Sequence, residues 1–160
     1  MLKLILQNLL FIQKILIIME KVLRKVANGN FLLKSEEKKL FTLQAEKRKA
    51  ALLAYIKNWR LATESELKLF ELPIKERIEI LMVYVKRYKM SEEAELKFFD
   101  LFKVERQELL TAYISERDLS KKAIIKSMEL PDEEKEKMLQ TCNKFGKAPV
   151  LKFFLELANS

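Results

Sequence analysis

The chain predicts an all-α fold: an α-solenoid of four two-helix repeats with a capping helix at each end. Three observations carry the prediction. Similar residues recur every 29 positions without gaps, as in Phe41, Phe70, Phe99 and Met128; Leu43, Leu72, Leu101 and Leu130; Leu32, Leu61, Met90 and Leu119; and Tyr55, Tyr84 and Tyr113. A fixed period of this size marks stacked copies of one small unit. Two glycines and three prolines in 160 residues leave little chemistry for β-turns, whereas helix formers abound. Apolar residues make up 49% and charged residues 34%, which suits a continuous core inside a slender body with much surface. One domain over residues 1–160 is expected.

Residues 1–30 open the chain with the apolar run LKLILQNLLFIQKILIIM at 2–19. Lys3, Gln7, Lys14, Lys21 and Lys25 fall within roughly 40° of one another on a helix. A narrow polar stripe on a wide apolar helix predicts an element laid along the core as the N-terminal cap. Membrane contact and a dimer seam are the alternatives. A charged stretch, EKVLRKVANGN, follows where a signal peptide would carry small residues and a cleavage site. Asn28-Gly29-Asn30 is the turn that ends this helix.

The repeats are assigned to 32–60, 61–89, 90–118 and 119–147. In the second, Thr63 and Glu66 read as a capping box, and Leu67, Leu69 and Phe70 as a short apolar face. Leu72-Pro73 breaks that helix, and Pro131 recurs in the same register, where Gln44 and Phe102 stand in the other copies. A longer helix follows from about Lys75, with Ile78, Leu81, Val85 and Tyr88 as its buried stripe. The tyrosine hydroxyls are expected to reach a partner at the rim of the core. Residues 148–160 supply a last helix, with Pro149 in its first turn and Leu151, Phe154 and Leu155 as its apolar edge.

The composition narrows the chemistry. The chain has no histidine, which removes the usual general base near neutral pH and every histidine-containing metal site. With two glycines it holds no phosphate-cradling loop. The single Cys142 excludes an internal disulfide and suits a reducing, cytoplasmic setting. Adjacent carboxylates such as Glu92-Glu93 point about 100° apart on a helix and do not converge. No catalytic residue, cofactor or metal is expected.

The formal charge is +8; the segment 1–60 alone carries +9, while the segment 90–118 carries −4. Such a field can steer a polyanion or an acidic protein surface. Cations repeat in step: Lys39, Lys68, Lys97 and Lys126; Arg48, Arg77, Arg106 and Lys135; and Lys57 and Lys86. Along a solenoid face they could follow a phosphate backbone. They could equally form ordinary pairs such as Glu64–Lys68 and Glu93–Lys97, and Glu or Lys immediately before each arginine offers neutralising contacts between repeats.

The blocks SELKLFELP at 65–73 and AELKFFDLF at 94–102, each followed by a YV or YI pair, resemble a tandem helical repeat of uncharacterised bacterial proteins, over residues 32–147. Copies one and four depart from it, with Glu37-Lys38-Lys39-Leu40 and Ile124-Ile125-Lys126-Ser127 in place of the E-L-K-[LF] run. The resemblance implies a fold and brings no activity or site residue.

Three functional readings follow. The first is a non-enzymatic repeat protein that engages a protein or ribonucleoprotein through its solenoid face or basic N-terminal end, for example as an inhibitor of a bacterial defence nuclease. The second is direct RNA or DNA binding through the basic ladders. The third is a structural or membrane-surface module anchored by residues 1–27.

Overall fold

In a computed structural model the backbone is described for residues 2–158 and the side chains for 7–157; the expectations for Lys3 and for the chain's last residues lie outside the described side chains. The described residues are helical, with ten α-helices, one 3-10 turn and no strand. Helix α1 runs Leu2–Ala27. Four pairs follow: α2 (Lys34–Leu40) with α3 (Ala45–Ile56), α4 (Thr63–Leu69) with α5 (Ile74–Arg87), α6 (Glu92–Lys97) with α7 (Lys103–Glu116), and α8 (Lys121–Ser127) with α9 (Asp132–Lys144). Helix α10 (Ala148–Ala158) ends the series, and a 3-10 turn at Phe98–Asp100 extends α6. The first helices of the pairs start at 34, 63, 92 and 121 and the second at 45, 74, 103 and 132, so both series keep the beat of the sequence.

Gln44, Pro73, Phe102 and Pro131 precede the second helices with near-identical extended backbones, ψ 149, 142, 148 and 148°. Proline presets this geometry in two copies, and Gln44 and Phe102 reach it without one. Ser91 and Ser120 cap α6 and α8, their hydroxyls accepting from Ala94 N–H at 3.3 Å and Ala123 N–H at 3.2 Å. The capping box expected at Thr63 is not formed: Thr63 is already the first residue of α4, and Glu66 is buried against other partners. Both glycines have left-handed backbones, φ 67° at Gly29 and 66° at Gly146. Each ends its helix with the paired carbonyl bonds of a Schellman turn: Asn30 N to Lys25 O and Gly29 N to Val26 O, and Lys147 N to Cys142 O and Gly146 N to Asn143 O.

The chain divides into two compact units, residues 1–65 and 66–160. In the first, α1 packs on α2 and α3. Its core holds Val22, Val26, Leu32, Leu40, Leu52, Tyr55 and Ile56. Among the described side chains of α1, the buried ones, Val22 and Val26, lie in its last turns. Leu9, Leu10, Phe11, Ile12, Ile15, Leu16, Ile17 and Ile18 stand 40–65% exposed, so the helix does not lie along the core as the polar stripe suggests.

In the second unit α5, α7 and α9 pack side by side in chain order, α6 packs on α8, and α10 closes over α8 and α9. The buried stripe of α5 is Ile80, Leu81, Tyr84 and Val85. Ile78 and Tyr88, expected in that stripe, are half-buried. The same pattern recurs one repeat later as Leu109, Leu110, Tyr113 and Ile114 in α7. Val150 and Phe154 anchor α10, whereas Leu155 is exposed. Val150 therefore takes the place expected for Leu155. Among the described residues no helix is long and apolar enough to cross a membrane.

Candidate partner-binding surface

The polar residues of the repeats fall into two classes, those that join one helix pair to the next and those that face solvent. The first class begins with a ladder of buried carboxylates, Glu37, Glu66 and Glu95, each no more than 1% exposed. A buried carboxylate must find donors or neutralise. In the first unit Glu37 accepts from the Tyr55 hydroxyl at 3.1 Å and from Ala62 N–H at 3.0 Å. In the second, Glu66 accepts from Tyr84 at 2.6 Å and Ser91 N–H at 2.8 Å, and Glu95 from Tyr113 at 2.6 Å and Ser120 N–H at 2.8 Å. Each carboxylate thus holds its own pair's tyrosine and the N-terminal backbone of the next pair's first helix.

The tyrosine oxygens are used twice. Tyr55 also accepts from Leu32 N–H at 3.3 Å, and Tyr113 from Met90 N–H at 3.3 Å. The hydroxyls therefore end on buried carboxylates rather than at the rim. Burial, with the neighbouring carboxylates, pushes the Tyr55 and Tyr113 hydroxyls above the ordinary phenol range. In the fourth copy the equivalent positions are Ile124 and Cys142, both buried. Burial first, and the Asp118 charge second, push the Cys142 thiol up to about 11.

A second joint uses the arginine register. Arg77 donates from Nη1 to the carbonyls of Phe70 at 2.8 Å and Leu72 at 3.2 Å, and from Nε and Nη2 to Glu105 at 2.5 and 2.7 Å. Arg106 repeats this on Phe99 O at 3.1 Å and Leu101 O at 2.8 Å, with Glu134 at 2.9 and 2.8 Å. The planar fork matches both targets at once, which Lys cannot do. The side chains of Arg77 and Arg106 are only 12% and 13% exposed. They clasp the turn of their own pair and the next long helix instead of standing as a row of phosphate contacts. Arg48 holds its own turn likewise, on Leu43 O at 3.2 Å.

The lysine registers lie further out. Lys57, Lys86 and Lys97 are exposed, and Lys39 and Lys68 half-buried. Lys97 pairs with Asp100 at 3.1 Å, taking the i+3 carboxylate rather than Glu93, and Lys126 pairs with Glu129 in the same register.

The first unit also carries an exposed aromatic pair outside the residues that the sequence singles out. Phe31 is 56% and Trp59 37% exposed, and their rings meet edge to face at 5.4 Å and 73°. The indole N–H donates to Gly29 O at 2.8 Å, which pins Trp59 to the turn after α1. Phe31, Lys34, Arg60 and Glu64 line a hollow beside this pair. Trp59 shares its register with Tyr88 one repeat on, but Arg117 and Gly146 follow there, so periodicity gave only a weak signal; its neighbours Lys57 and Arg60 and the charge of the segment were the further clue. Among the described residues no cluster of His, Cys, Asp or Glu could hold a metal ion. No family model, curated protein or solved structure matches the chain.

Proposed function

We propose that this chain is a non-enzymatic helical-repeat binding protein, an α-solenoid of four helix pairs closed by α1 and α10, that engages a protein or ribonucleoprotein through its basic N-terminal end. Blocking a bacterial nuclease is one action such contact could have. The observation that carries this reading is the Phe31–Trp59 corner, two exposed aromatic rings within the segment 1–60, which holds +9 of charge. Solvent-facing Trp and Arg at a rigid corner are the residue types that dominate binding energy at protein interfaces. The surrounding cations favour an acidic partner and raise its association rate. The recurring joints support the solenoid, because each step along the second unit repeats the same carboxylate and arginine bonds.

Affinity capture from bacterial lysate with wild-type protein and with the double variant Phe31→Ala/Trp59→Ala tests it. The expected result is a protein retained by the wild type after nuclease treatment and lost by the variant. Capture that vanishes with nuclease would favour the direct nucleic-acid reading, and equal retention by the variant would remove the corner from the function.

A further inference from the structure

We propose that α1 is a self-association element, which bundles with α1 of further copies of this chain. Leu9, Ile12, Leu16, Met19, Leu23 and Val26 follow one another at alternating steps of three and four, and the sequence carries the pattern back to Ile5 and Leu2. A seven-residue apolar repeat held over three to four heptads is the pattern of a helix that winds against another helix. Gln7, Lys14 and Lys21 then occupy the column diametrically outside this seam, the position that stays wet when helices pair.

The chain itself covers only one end of the seam. Val26 is buried and Met19 and Leu23 are half-buried in the first unit, whereas Leu9, Ile12 and Leu16 are each more than half exposed. Leu10, Phe11, Ile17 and Ile18 are exposed as well, on the opposite side of the helix around Lys14. A two-helix pair would leave these columns open, so more than two helices close the bundle better. At roughly 100 Å² of removable apolar surface each, Leu9, Ile12, Ile15 and Leu16 on the seam side supply about 400 Å² per copy, and Leu10, Phe11, Ile17 and Ile18 about as much again to helices packed on the other sides, so several partners together reach the roughly 800 Å² that a stable interface takes from each copy.

The charge pattern selects the arrangement and the occupant. Lys21, Arg24 and Lys25 crowd the C-terminal end of α1, next to a segment of +5 at 31–60. Antiparallel packing keeps these like charges apart. A helix lying in a lipid interface needs a broad, strongly charged polar face; over residues 7–18 α1 has one charge, Lys14, in a column with Gln7, and Asn8 and Gln13 stand apart among apolar residues on other sides. That circumference suits other helices on several sides.

Mass measured by light scattering on the purified full chain in detergent-free buffer, at about 1 to 100 µM, tests the proposal. The wild type is expected as a dimer or tetramer. Leu9→Glu/Leu16→Glu is expected to be monomeric with a retained far-ultraviolet helix signal and a melting midpoint that no longer depends on protein concentration, since both side chains are exposed in the single chain. Lys14→Glu, in the outer column, is expected to keep the wild-type mass. A monomeric wild type, a mass unaltered by the Leu9 and Leu16 changes, or a Lys14 change as disruptive as theirs would each overturn the proposal. So would wild type that is monomeric alone and sediments with phosphatidylglycerol vesicles.

Discussion

The third and fourth helix pairs share one backbone plan and differ in what fills the centre. In the third, Glu95 and Tyr113 form a buried polar joint; one repeat later, Ile124 and Cys142 fill the same places with apolar groups. Both members change together. A buried carboxylate without its hydroxyl, or the hydroxyl without its carboxylate, is costly, whereas an apolar pair of fitting volume is tolerated. The comparison teaches that this repeat treats the carboxylate and the tyrosine as one unit, kept or dropped as a pair, while the surrounding leucine and phenylalanine positions hold the shape.

The comparison can be broken at several depths. The largest effect is expected at the arginine joint: Arg106→Met strands Glu134 and two carbonyls and should cost about 3–5 kcal/mol of unfolding free energy, read by urea denaturation. Retained stability there would mean that the joint contributes little. Tyr113→Phe removes one donor from Glu95 and the acceptor of Met90 N–H, for an expected loss of about 1–3 kcal/mol. Combining Glu95→Ile with Tyr113→Cys installs the fourth pair's chemistry in the third. The double change should be less damaging than the sum of the single ones by about 1–3 kcal/mol, yet short of wild type, because Ser120 and Met90 N–H lose their acceptors. Strict additivity would refute the paired behaviour.

The smallest effect concerns pH. The Cys142 thiol is raised to about 11 from an ordinary 9.0, so its neutral form is favoured by folding. Its contribution is complete below pH 9.0 and is lost as pH climbs through about 11. Stability of wild type relative to Cys142→Ala, followed across that window by thermal melts, should decline with rising pH; a flat difference would place the thiol in contact with water.

Much of the fold was legible because helix starts, core leucines and aromatic ladders all obey one period, and a period survives when individual residues vary. The joints were less legible. Glu37, Glu66 and Glu95 keep the same beat, but in a chain with 34% charged residues a repeating glutamate reads as solvated surface. Only the tyrosine 18 residues further on, in all three copies, reveals that the carboxylate turns inward. The arginine ladder left two readings open, since a row of cations looks alike whether it faces solvent or clasps its neighbours; the contacts between repeats offered by the residue before each arginine are the ones that Glu105 and Glu134 make. For α1 the polar stripe told which side is wet, and said nothing of whether the opposite side is covered by the same chain.

The fourth pair's apolar filling matches the helix that follows it. Each inward carboxylate needs an N–H at the head of the helix that follows. One full period beyond Ser120 stands Pro149, which has no N–H to offer, and the nearby Lys147 N–H is already held by Cys142 O at 2.8 Å. A glutamate at 124 would therefore face a closed door, and isoleucine stands there instead. The polar joint is thus absent on both sides of the step from the fourth pair to α10, and installing it would take changes at positions 124, 142 and 149 together.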